Sequence, residues 1–347
     1  MSKYFFLVLI VIIFSNSLFG QDEKVRHQVL LIGNVCDAAA DVQFLGEVKT
    51  VIQKIETPFT LLLNGDLTKD PLDSKKGKVQ LKQLESLIKI VDSTTNGNII
   101  LFAGDRDWKE SKKGGQQRFN NLEKTILDFI KTGGYERATW ADDSGCPGPE
   151  EIEIDESLLL IVVNSQWFNH PYDKPRSEDG LCTIITAEDF GTELEGIVKE
   201  NQDKNILIAG HHPFESLGNY GGHFSALDYI TPFPVLGSVR LAYRKNVGTS
   251  EDLSNHHLEE FREEMRNISF FYENLIFVSG HEKNQQILKD GKNYLINSGA
   301  PLKGGFASNR YDAVWTSKSS GFVQLNYFES GKVTSTFINS DRIDSTS

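Results

Sequence analysis

Five apolar runs that each stop at a glycine and a polar residue constrain this chain more than any other feature of it. Residues 59–66 read Phe-Thr-Leu-Leu-Leu-Asn-Gly-Asp. A buried parallel strand reads this way when it ends at the carboxyl edge of a sheet and presents one carboxylate there. Alone, Gly65-Asp66 is explained as well by an ordinary strand and an Asx-type turn. The pattern recurs, however: residues 29–33 run into Asn34, 99–104 into Asp105, 206–210 into His211, and 275–280 into His281. Repetition at that spacing implies one site assembled from the strand ends of a layered sheet.

Helical periodicity fills the gaps between these runs. Val79, Leu84, Leu87, Ile88 and Val91 share one stripe over residues 79–91; Phe119, Leu122, Ile126, Phe129 and Ile130 share another over 116–132, with Gly133-Gly134 as the stop. A third helix is expected from near Thr186 with Phe190, Leu194, Ile197 and Val198 facing inward, and a fourth from about Ser250 to Arg266. Strands without site residues are expected at 151–154, 158–164, 294–297 and 322–328, with antiparallel alternation from 308 onward. Helices alternating with strands early, and hairpin-like strands late, predict an α/β fold of two packed sheets covered by helices.

The amino terminus has the pattern of an export signal: Lys3, an apolar stretch at 4–14 that is short for a membrane span, and small residues before Gln21. The expected organisation is a signal peptide at 1–20, one domain over 21–340 and a polar tail at 341–347, in the periplasm, at the cell surface or outside the cell. Loss of the signal would move the formal net charge from −12 to −13. Such an acidic balance argues against nucleic acid or an anionic membrane as the main partner and leaves a local phosphate site open. Cys146 and Cys182 can close a loop in an oxidising compartment, typically worth about 3–4 kcal/mol, with Cys36 left over as a small buried residue.

The ordered series Gly33-Asn34, Gly65-Asp66, Gly104-Asp105-Arg106-Asp107-Trp108, Gly210-His211-His212-Pro213 and Gly280-His281-Glu282-Lys283 resembles the signatures of the calcineurin-like metallophosphoesterases, in particular their purple-acid-phosphatase-like branch. Pro147-Gly148-Pro149, Gln166-Trp167 and residues 236–248 look like secreted bacterial members. The resemblance implies a four-layer α/β/β/α sandwich of two mixed sheets flanked by helices. In such a site two cations about 3.5–4 Å apart clamp a phosphate and lower the pKa of a bridging water. It also implies that Asp66 is the bridging carboxylate and that Asp105, His211 and His281 complete the ligands of one metal.

Against that pattern the other metal position looks lost. Asn34 replaces its carboxylate, Lys69 the tyrosinate and Lys283 the histidine, and ammonium groups are donors that cannot ligate while protonated. Arg106 stands where the family has a histidine. It can grip phosphate, and so is the catalytic candidate if the protein is active, but it cannot act as a general acid near neutral pH. A further family histidine corresponds to Tyr220.

Two states stay open: one Zn, Mn or Fe ion on Asp66, Asp105, His211 and His281, or a metal-free cluster in which the carboxylates pair with Arg106, Lys69 and Lys283. A two-metal centre is not expected. The functional expectation is a catalytically degenerate pseudo-phosphatase serving a cell-envelope complex. The alternative is a one-metal phosphoric ester hydrolase; either could take a phosphate-containing ligand. His212, His170, His223, His256-His257, Arg240 and Arg244 are expected to be structural.

Overall fold

The computed structural model describes residues 23–39, 41–176, 181–310 and 312–340. The expected signal peptide and the polar tail lie outside the described residues. In chain order the elements are β1 (Val25–Gly33), α1 (Val42–Ile52), β2 (Phe59–Asn64), α2 (Lys75–Asp92), β3 (Gly97–Phe102), α3 (Gly115–Gly133) and β4 (Ala138–Trp140). Then come β5 (Glu150–Asp155), β6 (Leu158–Val163), α4 (Ser165–Asn169), α5 (Ala187–Glu200), β7 (Asn205–Gly210), α6 (Ala226–Ile230), α7 (Pro234–Asn246) and α8 (His256–Phe271). The chain closes with β8 (Leu275–Ser279), β9 (Gln285–Asp290), β10 (Asn293–Ser298), β11 (Ala313–Ser317), β12 (Gly321–Phe328) and β13 (Val333–Asn339).

These strands form two mixed sheets. One has the order β13-β12-β1-β2-β3-β4, the other β11-β9-β10-β8-β7-β6-β5. The runs that carry the polar ends are the parallel centres of both sheets, β1-β2-β3 in one and β7-β8 in the other. Their alternation explains why they read as unbroken apolar stretches, because both faces are covered. Val29, Leu31, Leu62 and Ile100 face the second sheet and meet Leu160, Leu207, Ile276 and Val278. Leu30, Ile32, Leu61 and Leu63 point the other way, onto Phe44 and Val48 of α1 and Leu84 and Leu87 of α2. Ile161, Ile206, Ile208 and Phe277 turn from the shared interior to Phe190 of α5 and Phe261 of α8. The result is helices, sheet, sheet, helices.

Two helical expectations change. Val79 is 40% exposed, because Gln80 takes the buried face at that turn and binds the backbone N–H groups of Lys69 and Asp70. The fourth helix starts at His256, not near Ser250, and continues to Phe271. Asp252 is drawn out of helical use by Arg244 and by the amide and hydroxyl of Thr249, and Asn255 caps the helix. Cys146 and Cys182 are joined by a disulfide.

Candidate metal centre

The two sheets touch where β1 and β8 end. A Cβ on Gly33 would stand 2.3 Å from the Cα of Gly280, so the glycines let the two backbones touch. Gly65 serves a second close approach: it has φ +79 and a Cβ there would meet Nδ1 of His211 at 2.5 Å. The glycines before the polar residues are therefore spacers between sheets as well as turn formers. Asn34 and Asp66 follow with φ of 50 and 53, which turns their side chains sharply off the strand direction.

Asp66, Asp105, His211 and His281 meet in one buried cluster. His211 Nδ1 lies 2.9 Å from the carbonyl of Asn64, and His281 Nε2 lies 2.7 Å from the carbonyl of Glu251. A carbonyl only accepts, so both of these nitrogens carry hydrogen and both tautomers are fixed. The remaining nitrogens, His211 Nε2 and His281 Nδ1, face each other at 3.3 Å. Two lone pairs at that separation repel unless a proton or a cation stands between them.

The donor set fits a single cation. Asp105 Oδ1 lies 3.1 Å from His211 Nε2 and 3.6 Å from His281 Nδ1, and Asp66 Oδ1 lies 3.3 Å from His211 Nε2. Ligand bonds of about 2.0–2.1 Å in a tetrahedron give donor-to-donor edges of about 3.3–3.4 Å. Asp105 Oδ2 is buried without a hydrogen-bond partner, a lone pair that such an ion would satisfy. Asp105, His211 and His281 form the tight group; Asp66 adjoins it through one oxygen. With a proton in place of the ion, the cluster polarises. Burial opposes a charge on His281, but the hydrogen bond and charge of Asp105 outweigh it and raise the imidazole to about 9. Burial likewise pushes Asp105 up, and the hydrogen bonds from His211 and His281 hold it well below the usual carboxylate range. Burial and the neighbouring Asp105 charge raise Asp66.

The other oxygen of Asp66 belongs to Arg106. Arg106 Nε stands 3.1 Å from Asp66 Oδ2, and Nη1 reaches Asp37 Oδ1 at 2.9 Å and Cys36 Sγ at 3.3 Å. Its side chain is 8% exposed, so the guanidinium fills the place beside the cluster. The backbone N–H of Arg106 also donates to Asp66 Oδ1. The sequence expectation that lysines supply charge next to the carboxylates changes here. Lys69 Nζ stops at Asp37 Oδ1, 3.1 Å away, and Lys283 Nζ at Asp37 Oδ2, 3.9 Å away, both close to half exposed. The reason is length and competition. The buried guanidinium already occupies Asp66, and Asp37 at the rim is the carboxylate the lysines can reach. Asn34 donates its amide to the carbonyls of Gly299 and His281 and ties β1 to the opposite sheet. Burial keeps Cys36 a thiol, far above its usual range.

Sequence reasoning missed Asp37, which collects three cations, and Glu251, which acts through its carbonyl. Asp37 follows Cys36 in a stretch with no motif, and a backbone acceptor leaves no signature. His212 binds Ser165 and stacks on His281 with ring centroids 4.5 Å apart. Tyr220 covers His281 on another side, also at 4.5 Å, and Arg244 lies over the Tyr220 ring and pairs with Asp252. His170 is buried against Trp108, outside the cluster. Arg240 is exposed on α7.

Two packed mixed sheets flanked by helices, with acidic and imidazole side chains gathered at their strand ends, define a metallophosphoesterase-like fold. PhoD shares it, with a TM-score of 0.50 and 7% identity over 93% of this chain and 73% of that one. GAP50, the anchor in the inner membrane complex of Plasmodium, aligns with a TM-score of 0.49 and 13% identity over 92% of this chain and 86% of that one. Vacuolar Protein Sorting 29 from Cryptosporidium parvum aligns with a TM-score of 0.33 and 11% identity over 92% of this chain and 100% of that one. No protein-family model matches the sequence, and no curated protein matches it either. No helix among the described residues is long and apolar enough to cross a membrane.

Proposed function

We propose that this chain is an exported phosphoesterase-fold protein that no longer hydrolyses phosphate esters and works as a binding or accessory subunit in the cell envelope. In this reading it holds at most one divalent cation, on Asp105, His211 and His281 with Asp66 alongside. The observation that carries the reading is Arg106. Its guanidinium lies 3.1 Å from Asp66 and is itself buried, so the position beside the cluster holds a fixed organic cation. A guanidinium has five N–H donors and no acceptor, and it keeps its proton at any ordinary pH. It can donate to a water but cannot coordinate and acidify it as a Lewis acid, nor protonate a leaving group, so in this reading the second half of a two-cation clamp is missing.

A single ion on the remaining ligands would supply Lewis acidity to one bound oxygen. The chain's own part is separate from that. The carbonyls of Asn64 and Glu251 orient the imidazoles, Arg106 neutralises Asp66, and Lys69 and Lys283 leave positive charge at the rim. The apolar leader at 4–14 and the Cys146–Cys182 disulfide support export. That rim also favours a second reading, a one-metal phosphoesterase in which the two lysines and Arg106 hold the phosphate dianion.

Metal analysis together with a phosphomonoester assay tests the proposal. The expected result is no more than one equivalent of metal and no turnover above an Asp66→Ala baseline. Turnover that Asp66→Ala abolishes and added metal restores would refute it. A fall in kcat with Lys283→Ala would then select the one-metal enzyme.

A further inference from the structure

Three cations from three strand ends converge on one carboxylate, that of Asp37. The short turn that carries it, Val35–Ala38, follows β1, and Val35, Cys36 and Ala38 are buried, so Asp37 is the one side chain of the turn that reaches the rim. Its backbone is fixed: the N–H of Cys36 donates to the carbonyl of Asp66 at 2.8 Å, and that of Asp37 to the carbonyl of Asn34 at 2.9 Å. Asn34 is itself tied to the opposite sheet through Gly299 and His281. The backbone therefore places the carboxylate, and the cations come to it. Lys69 arrives from the loop after β2, Arg106 from the turn after β3, and Lys283 from the segment after β8.

Exposure grades outward from the cluster. The side chain of Asp66 is 1% exposed, Arg106 8%, Asp37 25%, and Lys69 and Lys283 are 45% and 42%. An anion drawn in by these cations meets Asp37 first. Asp37 Oδ1 accepts from both Arg106 and Lys69, and Oδ2 faces Lys283, so both oxygens are already used. Burial opposes the charge of Asp37, and Arg106, Lys283 and Lys69 together outweigh it and hold the carboxyl below its usual range. The charges are not balanced, however. Arg106 also serves Asp66, which leaves Asp37 to answer two lysines with one negative charge. A phosphate dianion has two charges and more acceptor oxygens for the same donors.

We propose that Asp37 is a resident anion that fills an oxyanion site and keeps it shut to phosphate dianions, whether inorganic phosphate or the end of a phosphomonoester. The inference rests on the reading that a guanidinium, and not a second metal ion, stands beside Asp66. It deepens that reading, because the chain then excludes the substrate as well as lacking half of the clamp. A phosphate in this place would set its charge against Asp37 in a partly buried site, where salt screens repulsion little. In the one-metal alternative the same carboxylate has to turn away before a phosphate dianion can reach Arg106. Removing the charge of Asp37 should therefore open the site while every cation stays in place.

Calorimetric titration with inorganic phosphate, on protein of measured metal content, tests the proposal. Asp37→Asn keeps the shape and an oxygen for Arg106 but loses the charge, and it should bind inorganic phosphate at least tenfold more tightly than wild type. Asp37→Ser, which also shortens the side chain, should change affinity in the same direction. Adding Lys69→Ala and Lys283→Ala to Asp37→Asn should return the affinity to the wild-type level. Thermal unfolding without phosphate checks that each variant is folded. Equal phosphate affinity in wild type and in both Asp37 variants would overturn the proposal. A gain that survives the loss of both lysines would overturn it too, since the phosphate would then be held elsewhere. Phosphate affinity decides this inference and ester turnover decides the reading it rests on, so the two failures are distinguishable.

Discussion

Arg106→Ala removes the guanidinium that stands on Asp66 and leaves the carboxylate, 1% exposed, beside the Asp105 charge. Exposed ion pairs of the rim type contribute about 0–1 kcal/mol, whereas removing one partner of a buried pair typically costs about 3–5 kcal/mol. Arg106 is of the second kind, with its side chain 8% exposed. At about 2.1 cal/mol/K per residue, that loss in a chain of 347 residues lowers Tm by about 4–7 °C. Its pH dependence identifies the cause. Burial and Asp105 already raise Asp66, and Arg106 is one of the charges opposing them, so its removal raises the carboxyl further. The folded variant then keeps a proton that the unfolded chain has released above its ordinary pKa of about 3.9. A proton bound more tightly by the folded state makes stability fall as pH rises, so the gap to wild type should be widest near pH 8 and narrow toward pH 5. Urea unfolding of wild type, Arg106→Ala and Arg106→Lys at both pH values measures this. The lysine variant should fall between, having charge without the fork. A gap under about 1 kcal/mol at pH 8, or one that does not change with pH, would show that Asp66 does not depend on the guanidinium.

Replacing Cys146 and Cys182 with serine opens a loop of sequence separation 36, which by chain entropy should cost about 4 kcal/mol in urea unfolding. A loss below about 1 kcal/mol would mean that the unfolded chain is already constrained there. His27 is buried beside Thr60, and burial pulls it down to about 4, against the opposing charge of Asp155. The unfolded histidine takes up its proton first, so this contribution, about 3 kcal/mol, is complete above pH 6.5 and is lost as pH falls from there toward 4. His27→Gln should flatten that part of the stability–pH curve; an unchanged slope would assign the acid loss to other groups. Gly280→Ala places a Cβ 2.3 Å from the carbonyl of Asn64 and should cost about 1–3 kcal/mol while weakening divalent-metal binding, read by calorimetry. Unaltered metal affinity and stability would show that the two sheets can separate there without consequence.

Much of the fold was written in the local pattern. The unbroken apolar runs of β2 and β6 require cover on both faces, and the stripes of α2, α3 and α5 supply part of it, whereas α1 was not read from the sequence. The departures came where a polar side chain had a tertiary partner. Gln80 displaced Val79 from the buried face because the loop below it offered amides, and Asp252 left the helix because Arg244 was in reach. Propensity and period describe a segment by itself, and neither contains the partner.

The cluster divides along the same line. Asp66, Asp105, His211 and His281 were legible because each follows a strand end, and a parallel sheet places such ends side by side. Which cation stands on the second oxygen of Asp66 was not legible, since that depends on side-chain reach after the strands are set. Lys69 and Lys283 were expected beside the carboxylates from the resemblance, yet their ammonium groups settle on Asp37. Arg106 immediately precedes Asp107, whose carboxylate accepts from the backbone of Leu67, Thr68 and Gly104 and so locks the Arg106 turn against the loop after β2. With the turn fixed, the backbone N–H and the Nε of Arg106 both reach Asp66. The lysine backbones are held farther out, that of Lys69 by Gln80, and their side chains remain close to half exposed at the rim. The cation that stands on Asp66 is therefore the one whose backbone is held beside it, a property of the Asp107 contacts that residue type and spacing do not encode.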